Sequence, residues 1–221
     1  MTFDAVTEWT AAQQRVIGLV GAATSAAVES RVPACPDWTV RDLLSHMVGI
    51  GVDVVAGNEP DDHGAEWTAA QVDARRDRDV SELIAEWRGL TDAMVAHLRT
   101  VGDRPINDIV IHEQDLRGAL RIRGATDTPA ALHVRDRFAG RLGDRVAGLP
   151  TLALRGTSWN WRSAEGEATV VVAASDADLA RALVSRRSAA QLRAWTVVGD
   201  VGPYLDAFAV LGELPTVDLA E

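Results

Sequence analysis

The stretch Asn107–Leu120 reads NDIVIHEQDLRGAL, and it has the apolar spacing of an α-helix with polar residues set into its inward side. A helix turns by about 100° per residue. With Asp108 placed at zero, His112 falls near ~40°, Asp115 near ~−20° and Ala119 near ~20° on the same advance. Ile109, Leu116 and Leu120 flank this arc on one side and Ile111 on the other, while Gln114, Arg117 and Arg121 take the opposite side, where solvent is expected. Asp108, His112 and Asp115 therefore point into the protein. A buried carboxylate without a partner costs several kcal/mol, so such groups persist when paired or when they hold a metal.

Working outward from this helix, three more helices are expected before it. Residues 3–29 are Ala-rich and amphipathic. Pro33 and Pro36 in RVPACPDW stop that helix, and Thr39 with Asp42 forms an N-cap signal for a second one, TVRDLLSHMVGIGVDVVAG, ending near Gly57. NEPDDHGAEW reads as a polar loop. A third helix is expected from Val80 to Val101, with Leu83, Trp87, Leu90, Met94 and Leu98 as its apolar stripe. Four such helices make a four-helix bundle over residues 1–125. The pattern then changes: after a linker, ATDTPAA, come a helix at 130–147 and strands at TLALRG and EATVVVAAS. A helix at 176–187, a strand at AWTVVGD and a last helix at YLDAFAVLG complete the chain. Residues 126–221 are thus a small α+β domain, and the fold class is α+β.

Asp108 and His112 lie four apart, one turn on one face, as a shared cation requires. The third ligand has to come from another helix, and His46 in DLLSHMVG sits at the edge of its own apolar arc, next to Asp42 and Asp53. His63, His97 and His133 fall in loops or on polar faces. The alternative for the pair is an ordinary polar cluster. Two histidines and one carboxylate leave a coordination position open, the arrangement of catalytic zinc sites. Asp115 is placed to orient a ligand or thiol from outside the ion. Cys35, the lone cysteine, could be a nucleophile or ligand, but it lies between two prolines with no histidine following at a motif spacing, and it reads as a small buried side chain at a helix entrance. The arginines of DARRDRD and Arg186, Arg187 and Arg193 read as surface charge, with the option of holding a substrate carboxylate.

The chain carries a net charge of −10 and no lysine, which disfavours nucleic acid and anionic membranes as partners. It has no apolar run long enough to cross a bilayer and no signal-peptide pattern, and its single cysteine cannot form an internal disulfide. A cytoplasmic location is expected.

VPACPDWTVRDLLSHMVGI followed by DIVIHEQDLRGAL resembles the mycothiol-dependent maleylpyruvate isomerase family, whose N-terminal domain is a DinB-like four-helix bundle. LVSRRSAAQLRAWTVVGDVGPYLDAF is similar to the small α+β domain that follows it. The resemblance implies a divalent metal, described as zinc, on His46, Asp108 and His112. It implies mycothiol as thiol cosubstrate near Asp115, and Arg186 as the arginine that binds substrate or cofactor. The implied activity is isomerisation or S-transfer on a small electrophile, by a monomer or homodimer. The family isomerase has glutamate where this chain has Asp108, and there the two are expected to differ. The second functional reading is a non-catalytic DinB-like module that binds a metal or ligand.

Overall fold

The computed structural model describes residues 3–219, which divide into two compact units, 3–131 and 132–219. The architecture is α+β.

In the first unit, helix α1 (Ala5–Gly21) starts at Asp4, whose side chain accepts from the Thr7 amide. It ends at Gly21 rather than continuing to residue 29, because Thr24 caps a separate one-turn helix α2 (Ser25–Val28). The proline-bearing segment is not a plain loop: β1 (Arg31–Val32) and β2 (Cys35–Thr39) pair antiparallel as a short ribbon. Helix α3 (Val40–Ala56) opens with the expected capping box, Thr39 and Asp42 each accepting from the other's backbone amide, and closes on Gly57 at φ 73°. The segment beyond it, expected as loop, contains helix α4 (Ala65–Asp73).

The expected third helix is two, α5 (Val80–Gly89) and α6 (Thr91–Thr100). The cause is the buried side chain of Gln13, which donates to the Trp87 carbonyl at 3.1 Å and accepts from the Thr91 hydroxyl at 3.1 Å. The Leu90 amide also bonds that carbonyl, in the tighter i→i+3 manner. Helix α7 (Pro105–Leu120) follows, with proline in its first turn. Helices α1, α3, α5–α6 and α7 pack as a four-helix bundle around Leu43, Leu44, Leu83, Trp87, Met94, Ile106 and Leu116, all essentially inaccessible to solvent.

Helix α7 is buried more widely than its wheel suggests. Val110 and Glu113, on the side expected to face solvent, are buried, and Arg117 is half-buried. The Glu113 carboxylate accepts from Arg15 on α1 at 2.8 Å and from Arg117 one turn along at 2.8 Å. Two arginine stems thus cover the flank of α7 that was assigned to water.

Helix α8 (Pro129–Arg145), all but its first three residues in the second unit, leads to a mixed four-stranded sheet of order β4–β3–β5–β6. Its strands are β3 (Leu152–Arg155), β4 (Asn160–Arg162), β5 (Val170–Ala173) and β6 (Thr196–Val198). β3 runs parallel to β5, and the two outer pairings are antiparallel. The expected 176–187 helix stops early as α9 (Asp176–Ala182), since Ser185 at φ 58° turns the chain before Ser188 caps α10 (Ala189–Ala194). The last expected helix is a 3-10 turn (Gly202–Tyr204) and the single turn α11 (Leu205–Phe208).

Candidate metal and thiol site

The site lies inside the first unit, between the middle of α3 and the middle of α7. His46 is buried because the residues around it on α3, from Leu43 to Gly51, are buried. The structure brings together His46, Asp108 and His112. His112 Nε2 lies 3.3 Å from Asp108 Oδ1, and His46 Nε2 lies 3.9 Å from the same oxygen. The two imidazole rings stand edge to face, centroids 5.1 Å apart. All three ligand atoms fall within 4.8 Å of one another.

Each histidine has its other nitrogen occupied. His112 Nδ1 is 2.9 Å from Asp115 Oδ2, and His46 Nδ1 is 2.8 Å from Gln71 Oε1 on α4. This is the pattern of metal-binding histidines, whose second nitrogen is tied to a carboxylate or an amide so that the ring is aimed. The donor set, two imidazoles and one carboxylate, suits a divalent ion such as zinc and is small enough to leave a position free. Asp108, for all its short side chain, reaches both rings.

Asp115 is fully buried, and its Oδ2 also lies 3.8 Å from the Cys35 sulfur. Cys35 is therefore not only the packing residue expected: the β1–β2 ribbon delivers its thiol to the site, where Cys35, His112 and Asp115 form a second group with metal-ligand spacing. Trp38 covers His46 with a ring distance of 4.7 Å. Arg186 belongs to the second unit, on the turn between α9 and α10, and donates to the Val184 carbonyl.

The electrostatics separate the two histidines. Burial first, and then the charge of His112, push His46 down to about 4. Burial acts to lower His112 too. The Asp108 charge and the hydrogen bonds with Asp108, Asp115 and Cys35 together outweigh it, so His112 stands well above its ordinary value. Burial acts to raise the Asp108 carboxyl, but the charge and hydrogen bond of His112 and the charge of His46 hold it below the usual carboxylate range. Without metal, then, His112 is an imidazolium between two carboxylates and His46 is neutral.

That asymmetry sets a pH dependence. Below its unfolded value of 6.5 the unfolded chain protonates His46 while the folded protein does not, down to about 4. Stability is thus lost as pH falls through this window, by on the order of 3 kcal/mol. His112 is protonated in both states there and adds little slope; its contribution is lost instead as pH rises through its elevated folded value. Melting temperatures of chelator-stripped protein at pH 6.5 and 4.5 should differ more for the wild type than for His46→Gln. Equal differences would refute the assignment of His46.

Among the residues at the site, Gln71 has no role in the sequence reading. Gln71 gave no signal, because α4 carries too few apolar residues to show a helical period.

Residues 9–117 match the family described as the mycothiol maleylpyruvate isomerase N-terminal domain. No curated protein matches the chain significantly. Among solved structures, the chain is similar to the crystal structure of the mycothiol-dependent maleylpyruvate isomerase, with a TM-score of 0.57 and 14% sequence identity over 82% of this chain and 88% of that one. A histidine-to-alanine mutant of that isomerase gives a TM-score of 0.56 at the same identity and coverage. At this identity the likeness shows the fold. No helix among the described residues is long and apolar enough to cross a membrane. Residues 9–117 thus belong to the family of mycothiol maleylpyruvate isomerase N-terminal domains.

Proposed function

We propose that this protein is a metal-dependent enzyme of the cytoplasm that uses a low-molecular-weight thiol, mycothiol, to isomerise a small electrophile or to join the thiol sulfur to it. The observation that carries the proposal is the convergence of His46 Nε2 and His112 Nε2 on one Asp108 oxygen, with both Nδ1 atoms held from behind. His46, Asp108 and His112 would hold the ion. When bound, a zinc ion supplies the positive charge that keeps a thiol deprotonated near neutral pH.

The chain's own residues do the rest. Asp108 and Asp115 keep His112 aimed from both ring nitrogens. Asp115 takes a proton or a hydrogen bond from a sulfur beside it, a contact that Cys35 already makes. The buried walls around His46 exclude water, which strengthens each of these interactions. A thiolate that adds to a carbon–carbon double bond turns it into a single bond, rotation follows, and elimination gives the trans product and returns the thiol. In S-transfer the adduct is released instead. Arg186 is proposed to bind the substrate or cofactor, on the resemblance of its segment to the family's second domain. The protein is proposed to act as a monomer or a homodimer.

The test is thiol consumption and isomer formation with mycothiol and maleylpyruvate, followed by simple electrophiles, before and after stripping the metal. Activity with metal, lost to chelator and restored by zinc, is expected. Metal-loaded protein that consumes no thiol with any electrophile would replace this reading with that of a non-catalytic binding module.

A further inference from the structure

We propose that Gln71 is the positioning residue that makes His46 a ligand, by fixing which of its nitrogens carries the proton; this deepens, and rests on, the metal-site reading above. Gln71 lies on α4, outside the four bundle helices, and is buried. Its amide nitrogen donates to Asp53 Oδ2 at 2.7 Å, and its oxygen lies 2.8 Å from His46 Nδ1. A carboxylate only accepts, so the amide has one possible orientation: NH2 toward Asp53, carbonyl toward His46. The carbonyl in turn can only accept, so His46 must carry its proton on Nδ1. The lone pair of the neutral ring then stands on Nε2, the atom that faces Asp108.

The acceptor is also the right kind. Gln71 carries no charge, so its amide orients His46 by hydrogen bonding alone.

Three features hold Gln71 in place. Arg75, in the turn just after α4, donates from Nη1 to the Gln71 main-chain carbonyl and from Nη2 to Glu86 on α5 at 2.7 Å. Arg78 adds a second contact to Glu86. On α3, Gly49 faces Gln71, and a Cβ there would lie 2.5 Å from Gln71 Cβ and 2.8 Å from its Cγ. Helix α4 can seat its glutamine only because α3 has no side chain at that point.

The experiment uses full-length protein, zinc affinity by competition with a chromophoric chelator, and the ring-nitrogen NMR signature of His46 in the metal-free state. Gln71→Met keeps length and bulk but removes the acceptor. It is expected to weaken zinc binding by about 10–100-fold, the usual effect of losing such a partner, and to abolish the Nδ1–H signature. Gln71→Glu combined with Asp53→Asn restores a donor–acceptor chain of the same shape and should return zinc affinity to the wild-type level or above. A residue needed only for packing would show neither the tautomer change nor the rescue. Wild-type zinc affinity and tautomer in Gln71→Met, with His46→Ala losing zinc, would overturn the proposal. So would a folded double variant no better than Gln71→Met. His46→Ala that binds zinc as wild type would overturn the metal-site reading itself, a different result from either.

Discussion

Replacing His112 with alanine is expected to weaken zinc binding by at least about a hundredfold, more than the loss of a residue that merely supports a ligand. His112 is the centre of the cluster: its Nε2 faces Asp108 and its Nδ1 faces Asp115. Without it, two donors from two helices remain, too few for a tight site. Thiol consumption should fall in parallel. The same substitution also has a cost that does not involve metal. In the metal-free protein the His112 imidazolium neutralises two carboxylates, and the Asp115 side chain has no exposure at all. Removing the cation leaves buried negative charge unpaired, which costs about 3–5 kcal/mol. Stripped His112→Ala should therefore melt well below stripped wild type. Zinc affinity equal to wild type would show that His112 is not a ligand, whatever the melting temperature.

Glu113→Ala is the second large effect, and it acts on stability alone. The Glu113 side chain is 2% exposed and balances Arg15 and Arg117 at once. Deleting the carboxylate strands two guanidinium groups against the α1–α7 contact, at a cost of about 3–5 kcal/mol for breaking a buried ion network. Arg15 retains some solvent access, so the lower part of that range is expected. The triple replacement of Arg15, Glu113 and Arg117 by apolar residues of similar volume should recover most of the loss, because no charge is left unpaired. Chemical denaturation of the three proteins checks this. A Glu113→Ala loss below about 1 kcal/mol would mean that the network is no more than a surface ion pair.

How far the sequence could be read depended on whether a segment buries apolar or polar side chains. Helices α3 and α7 were legible because caps, proline and leucine spacing leave a strong pattern, and a polar stripe stands out only against such a pattern. Helix α4 was not legible, since what it buries is Gln71 rather than leucines. The break between α5 and α6 depends on Gln13, more than 70 residues away in the chain, and no local rule could supply it. The β1–β2 ribbon is hidden by its two prolines, and with it the approach of Cys35 to Asp115 across 80 positions. The strands of the second unit were found where they are continuous valine and leucine, as at Val170–Ala173, and missed at the three-residue Asn160–Arg162. His46, Asp108 and His112 could be named because two of them share a helix turn. Gln71 could not, because its partners are on α3.

Gly49 carries a consequence for anyone who would engineer this protein. By helix propensity alone, alanine at this buried mid-helix position should stabilise α3 by about 1 kcal/mol, and a routine stability design would choose it. Here the added methyl would collide with Gln71 and press α4 outward. The helix would be better formed and the histidine behind it worse aimed. Gly49 is thus a position where the gain promised by helix propensity is set against both the packing of α4 and the alignment of the ligand by a single methyl group.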